Sequence, residues 1–273
     1  MRKTFEQILL EAQVTECSTM EELFLLWQLM QQMEECPEGR TGYQEIDRRT
    51  FHIDGIVSEK DFSGTLYIMK ETSMRKQIRK EQTLPVISDV RRQLQNGRSP
   101  FGEVEYMEYL AGMERILCDG KETDPLSLLR RTAVLYLNKR GGKGAADDIS
   151  MQYGQYYMAF IRRQIQMIRP SVVVCCGEEI FRLVVMEVFH NKRKKKNREE
   201  YMKWKNVVEG DIFYADESYR HAAGKNAAEV AVVNMWNPAY RVNNGRYVSL
   251  EEYLREFSAR VETLKKAESS RTP

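Results

Sequence analysis

The sequence predicts an α/β protein: a three-layer α/β/α sandwich with a central, mainly parallel sheet, plus N-terminal helices. Two observations carry that expectation. Short apolar, β-branched runs such as "AVLYL" (133–137), "SVVVCCG" (171–177) and "EVAVVNMW" (229–236) read as buried strands. Helical patterns lie between them, and strands that alternate with helices build a parallel sheet. At 273 residues the chain is long enough to bury a substantial core.

Taken in order, residues 4–14 and 19–35 show helical periodicity. Ser18 or Thr19 caps the second helix, with Glu21 and Glu22 in its first turn. Leu23, Leu26, Trp27 and Met30 form its apolar face. "ECPEGRTG" (35–42) is a loop, so residues 1–47 form an acidic helical extension packed on a main domain of 48–273. "GTLYIMKETS" (64–73) is a short buried strand with a polar end. Residues 84–96 and 104–117 are helices separated by "NGRSPFGE". "RTAVLYLNKRGGKG" (131–144) is a strand running into a basic, Gly-rich loop. A long helix is expected over 150–168, a strand over 169–177 and a helix over 178–189. Residues 190–205 are a basic insertion. "DIFYAD" (211–216) and 229–236 are strands, and Ser249 caps a closing helix over 249–270.

Composition narrows the function classes. Hydrophobic residues make up 42% and charged residues 30%, ordinary values for a globular protein. No apolar run reaches membrane-span length, and the first residues lack a signal-peptide core, so a cytoplasmic location with no membrane partner is expected. The five cysteines and three histidines have no metal-ligand spacing, so no metal is expected. Neither GxGxxG after the first strand nor GxxxxGK[ST] is present, and no cofactor is expected. Residues 1–47 carry a net charge of −7, which leaves +9 in the remainder of a chain whose total is +2. A basic body of that kind suits an anionic partner.

Three strand exits are polar: Lys70-Glu71-Thr72-Ser73, Asn138-Lys139-Arg140, and Asn237-Pro238-Ala239-Tyr240-Arg241. In a parallel sheet all three fall on one edge, where α/β proteins bind ligands. Singly, each has an ordinary explanation: Glu71 in a salt bridge, Asn138 as a strand cap, Asn237-Pro238 as a turn. Their coincidence points to a site.

These segments resemble the uracil-DNA glycosylase superfamily over about residues 62–257. The block 133–177 is similar to that family's second strand with its base-reading Asn, the following helix, and a third strand opened by Pro and closed by Gly. "KETS" stands where the family has its first motif, "NPAY" where it has its second, and "RSPFGE" resembles the segment whose aromatic stacks on the extruded base. Here Lys-Glu-Thr-Ser replaces an Asp or Asn beside Pro, and Ala239 replaces a serine.

The resemblance implies a DNA glycosylase that binds nucleic acid, most naturally DNA, and hydrolyses the N-glycosidic bond of a uracil-like or modified base taken out of the stack. Phe101 would stack on the base, and Asn138 would read its edge by donating and accepting through one amide. Glu71 and Thr72 would hold or activate water, and Asn237 would stabilise the departing base. Lys70, Ser73, Lys139, Arg140, Lys143, Lys194, Lys195, Pro238, Tyr240 and Arg241 would line the nucleic acid, with the cations meeting phosphates. The basic run 192–198 equally suits a solvated loop. A catalytically inactive nucleic-acid or nucleotide binder of the same fold is the alternative, favoured by the altered motifs. A third reading is an interaction protein that uses its acidic helices.

Overall fold

Four runs of the chain are apolar on both faces and form the centre of the sheet: β3 (Thr65–Met69), β5 (Ala133–Tyr136), β6 (Val172–Cys176) and β8 (Ala231–Met235). A strand can be apolar throughout only if both faces are covered. In the computed structural model they lie side by side and parallel in the order β5-β3-β6-β8. Two short antiparallel strands complete the sheet, β2 (Gly55–Ile56) beside β5 and β7 (Ile212–Tyr214) beside β8. The structure describes residues 5–33, 50–70, 86–101, 104–118, 120, 122–140, 148–189, 212–214, 230–238, 242–243 and 246–269. The protein is therefore α/β with a mostly parallel central sheet, helices covering both of its faces.

On one face Leu66, Ile68, Leu135, Val173 and Cys175 pack against α1 (Phe5–Glu16), α2 (Met20–Met33), α6 (Asp148–Tyr156), α7 (Met158–Ile168) and α8 (Glu178–Val184). On the other, Tyr67, Met69, Tyr136, Val174, Cys176 and Val233 meet α3 (Val90–Gln95), α4 (Val104–Leu117), α5 (Pro125–Arg130) and α9 (Leu250–Ser269). The second pair of layers is tight: a Cβ on Gly112 of α4 would lie 2.7 Å from the side chain of Leu254 on α9.

The helix starts follow their sequence signals. The Thr19 hydroxyl accepts from the Glu22 amide at 3.2 Å, and the Glu22 carboxylate accepts in return from the Ser18 amide at 2.7 Å, a capping box. The Ser249 hydroxyl caps α9 by accepting from the Glu252 amide.

Several expectations change. Residues 84–96, expected to be one helix, contain β4 (Val86–Asp89) followed by the short α3. β4 pairs in parallel with β1 (Thr50–Ile53), a strand not predicted from the sequence because this partner is distant in the chain. The helix expected over 150–168 is two helices, broken at Tyr157, and the one expected over 178–189 ends in a π-helical turn, Val185–Phe189. Helix α5 and the small hairpin of β9 (Val242–Asn243) with β10 (Arg246–Tyr247) were also unforeseen. The expected insertion at 190–205 lies outside the described residues.

The N-terminal helix α2 contributes to the core itself. Trp27 is fully buried and stacks on Phe160 at 5.1 Å, with its edge toward Phe51. Among the described residues no helix is long and apolar enough to cross a membrane.

Candidate site at the carboxyl edge of the sheet

Since β5, β3, β6 and β8 are parallel, their carboxyl ends share one edge of the sheet. β3 and β5 leave it together: the Leu137 amide donates to the Met69 carbonyl at 2.8 Å and the Asn138 amide to the Lys70 carbonyl at 2.9 Å. β6 lies between β3 and β8, so the exits of β5 and β8 are three strand spacings, about 14 Å, apart.

Tyr106, near the start of α4, crosses part of the gap. Its hydroxyl lies 3.2 Å from the Met69 sulfur at the end of β3 and 3.4 Å from Asn237 Oδ1 past the end of β8. Phe101 stacks on the Tyr106 ring with centroids 5.4 Å apart and planes 19° from parallel. Burial pushes the Tyr106 phenol well above its ordinary pKa, so it acts as a neutral donor. Tyr106 was not foreseen. The signal was weak: an aromatic five residues after Phe101 in "FGEVEY". Tyr106→Phe is expected to cost about 1 kcal/mol in urea unfolding, the net worth of a neutral hydrogen bond. An unchanged midpoint would remove Tyr106 as the link between β3 and Asn237.

Asn138 is buried, and its Oδ1 accepts from the Arg140 amide at 3.0 Å. This bond fixes the amide plane and uses part of the acceptor capacity expected for base reading. The exit of β8 is secured from α9: the Tyr253 hydroxyl donates to the Trp236 carbonyl at 2.6 Å, and Arg260 donates to the Asn234 carbonyl. Asn237 is partly exposed, while Pro238 is buried and turns the chain instead of lining an open surface.

The cations are placed differently from the expectation. Lys139, assigned above to phosphate, is fully buried; its ammonium pairs with Asp54 at 2.5 Å and sits 5.0 Å above the Trp27 ring. Arg140, also assigned to phosphate, is 3% exposed, its guanidinium 4.7 Å from the Tyr153 ring. Lys70 donates to Glu179 of α8 at 2.9 Å. In these positions Lys139 and Arg140 are turned into the protein and do not meet a phosphate backbone. The reason is local: after β5 the chain passes under α2 and α6, where the aromatic side chains Trp27, Phe24 and Tyr153 accept a cation on their faces.

Asp54 organises this region. It sits where β1 turns into β2 and is followed by Gly55 at φ +124, a conformation that disfavours side chains. Its carboxylate accepts from Lys139 Nζ, from Gln164 Nε2 at 2.6 Å, and from the Tyr136 amide at 2.7 Å. It thus ties the β1–β2 corner, α7 and the exit of β5 together.

Glu71, Thr72, Ser73, Lys143, Lys194, Lys195, Tyr240 and Arg241 lie outside the described residues. Among the described residues no group of three His, Cys, Asp or Glu side chains is arranged to hold a metal. Comparison with known proteins finds no matching family model and no matching curated protein.

Proposed function

We propose that the protein binds a nucleobase, presented by DNA, at the carboxyl edge of its sheet, and that it is a uracil-DNA glycosylase-like protein of three-layer α/β/α form. The observation that carries this reading is the Phe101–Tyr106 stack hydrogen-bonded to Asn237, on the same edge as the exit of β5 that holds Asn138. An aromatic stack with one amide against it, and a second amide at another strand exit of the same edge, supplies what an extruded base needs: a stacking face and polar groups for its edge. The parallel run β5-β3-β6-β8, with helices on both faces, supports the fold part of the reading.

In the reaction so inferred, water held by Glu71 and Thr72 adds to the sugar carbon and gives its proton to Glu71, while the glycosidic bond breaks and its electron pair leaves with the base. Asn237 donates to the base oxygen on which charge develops. The reading carries with it a cytoplasmic location and no cofactor.

A specific observation favours the second reading, a binder without cleavage. Lys139 and Arg140 are committed to the interior, which leaves phosphate gripping to residues elsewhere.

The test is base excision at low salt. Single- and double-stranded oligonucleotides carry uracil, hypoxanthine or a modified pyrimidine, and alkali cleaves abasic sites. Wild type is expected to yield strand breaks, Glu71→Gln none, and Asn237→Ala roughly 100-fold fewer per unit time, as for loss of one oxyanion donor. Salt-sensitive binding without breaks would select the second reading. No binding to any of these oligonucleotides would remove both.

A further inference from the structure

We propose that His52 is a ligand-contacting residue of this site, where its neutral imidazole hydrogen-bonds the polar edge of an uncharged planar heterocycle; the inference rests on the base-binding reading above.

His52 is on β1, alongside the exit of β5, and its amide donates to the Lys139 carbonyl at 2.8 Å. Its neighbour Phe51 packs with Trp27 in the core that covers one face of the central sheet, so alternation along β1 turns His52 away from that core. There its ring lies 5.5 Å from that of Tyr136. Tyr136 is in register with Met69, and the Met69 sulfur takes the Tyr106 hydroxyl that also reaches Asn237. A continuous row, His52–Tyr136–Met69–Tyr106–Asn237, therefore runs along the carboxyl edge.

The imidazole is 1% exposed, and among the described residues neither of its ring nitrogens has a hydrogen-bond partner. Leaving a buried polar atom unpaired costs about 1–3 kcal/mol, so such a group calls for a reason. Packing does not supply one, because a phenylalanine would meet the Tyr136 ring equally well. A ligand that pairs one of the nitrogens would.

The chemistry of that ligand follows from the surroundings. Among the described residues, the titratable groups placed against His52 are the Lys139 ammonium and the Tyr136 phenol from β5 and its exit; Ser88 is its partner in β4. Burial and the Lys139 charge keep the imidazole neutral. A neutral imidazole offers one N–H donor and one acceptor, suited to the carbonyl or ring N–H of a base and not to a phosphate.

The experiment uses the full chain labelled with 15N in its histidines and asparagines, the Asn138 side-chain amide being identified by its loss in Asn138→Asp. The three imidazoles are followed by long-range proton–nitrogen correlation, His52 being identified by its loss in His52→Gln. Free uracil, hypoxanthine, adenine and cytosine are titrated in turn, with the Asn138 side-chain amide as a second reporter. The expected result is that one base shifts a His52 ring nitrogen. His52→Phe, checked for a retained cooperative unfolding transition, is expected to bind that base about tenfold more weakly, as for one hydrogen bond. His52→Gln, which keeps a donor and an acceptor, is expected to recover part of the affinity. A base that moves the Asn138 amide but leaves His52 unchanged overturns the His52 inference and leaves the base-binding reading standing. If no base moves either reporter, both are overturned.

Discussion

Replacing Asp54 by alanine is expected to destabilise the protein by about 3–5 kcal/mol, the usual cost of stranding one partner of a buried ion pair. Lys139 would keep its charge inside the aromatic cage of Trp27 and Phe24 with no carboxylate to offset it. Burial already holds the Lys139 pKa below its ordinary value, so desolvation is the dominant strain on that side chain. The Tyr136 amide and Gln164 Nε2 would each lose an acceptor as well. The double change Asp54→Ala with Lys139→Met is expected to cost clearly less than the sum of the single changes, because each removes what makes the other harmful. Urea unfolding of the four proteins measures this coupling. A loss below about 1 kcal/mol in Asp54→Ala would mean that the pair contributes little to the fold. The consequence reaches the site, because the same carboxylate anchors the segment from Tyr136 to Lys139 that carries Asn138.

The second large effect is a pH dependence centred on His52. Burial, with the Lys139 charge second, lowers its pKa from 6.5 to about 3. The folded-state value lies below the unfolded one, so the unfolded chain takes up a proton first as the pH falls. Stability from this group is complete above pH 6.5 and is lost progressively down to about pH 3. One proton corresponds to about 1.4 kcal/mol per pH unit once the unfolded imidazole is fully protonated; it is half protonated at pH 6.5, so about 2 kcal/mol disappears between pH 6.5 and 4.5. Carboxylates titrate in both proteins, so the comparison that isolates the effect is wild type against His52→Phe. The variant is expected to lose about 2 kcal/mol less over that interval. Parallel stability curves would show that His52 is not held neutral by the fold.

Both predictions concern residues whose importance was not legible from local sequence. Asp54 and His52 lie in "TFHIDGIV" (50–57), a segment whose partners are Lys139, 85 residues beyond Asp54, and Gln164, 110 beyond. Nothing within a few positions marks such a pairing. Lys139 and Arg140 were misassigned for a related reason. A basic pair before "GGKG" looks solvent-exposed, and only the docking of α2 and α6 over the exit of β5 makes it interior. Tyr106 was missed because its significance lies in one hydroxyl between Met69 and Asn237, which belong to different strands.

Other features were legible because their causes are local. The strands 133–136, 172–176 and 231–235 are apolar at every position, or nearly so, since both faces are covered, and they were recognisable from that alone. The caps act within three residues, so Ser249 could be assigned, and the second helix's cap narrowed to Ser18 or Thr19, before any packing was known. By contrast, the run 86–89 was merged with the helix that follows, because a four-residue strand carries too little periodicity to separate itself.

By itself, the sequence determined the α/β class with its mainly parallel sheet, most of the main strands and helices, and the polar character of the three strand exits, since periodicity, caps and turn residues act over a few positions. The tertiary structure alone decided the strand order, the convergence of the exits of β3, β5 and β8 on one edge, and the neighbours of each polar side chain there. Those are matters of contact between residues far apart in the chain. Whether a lysine faces water or lies buried against Asp54 depends on what packs over it, and the residues beside it in sequence do not encode that.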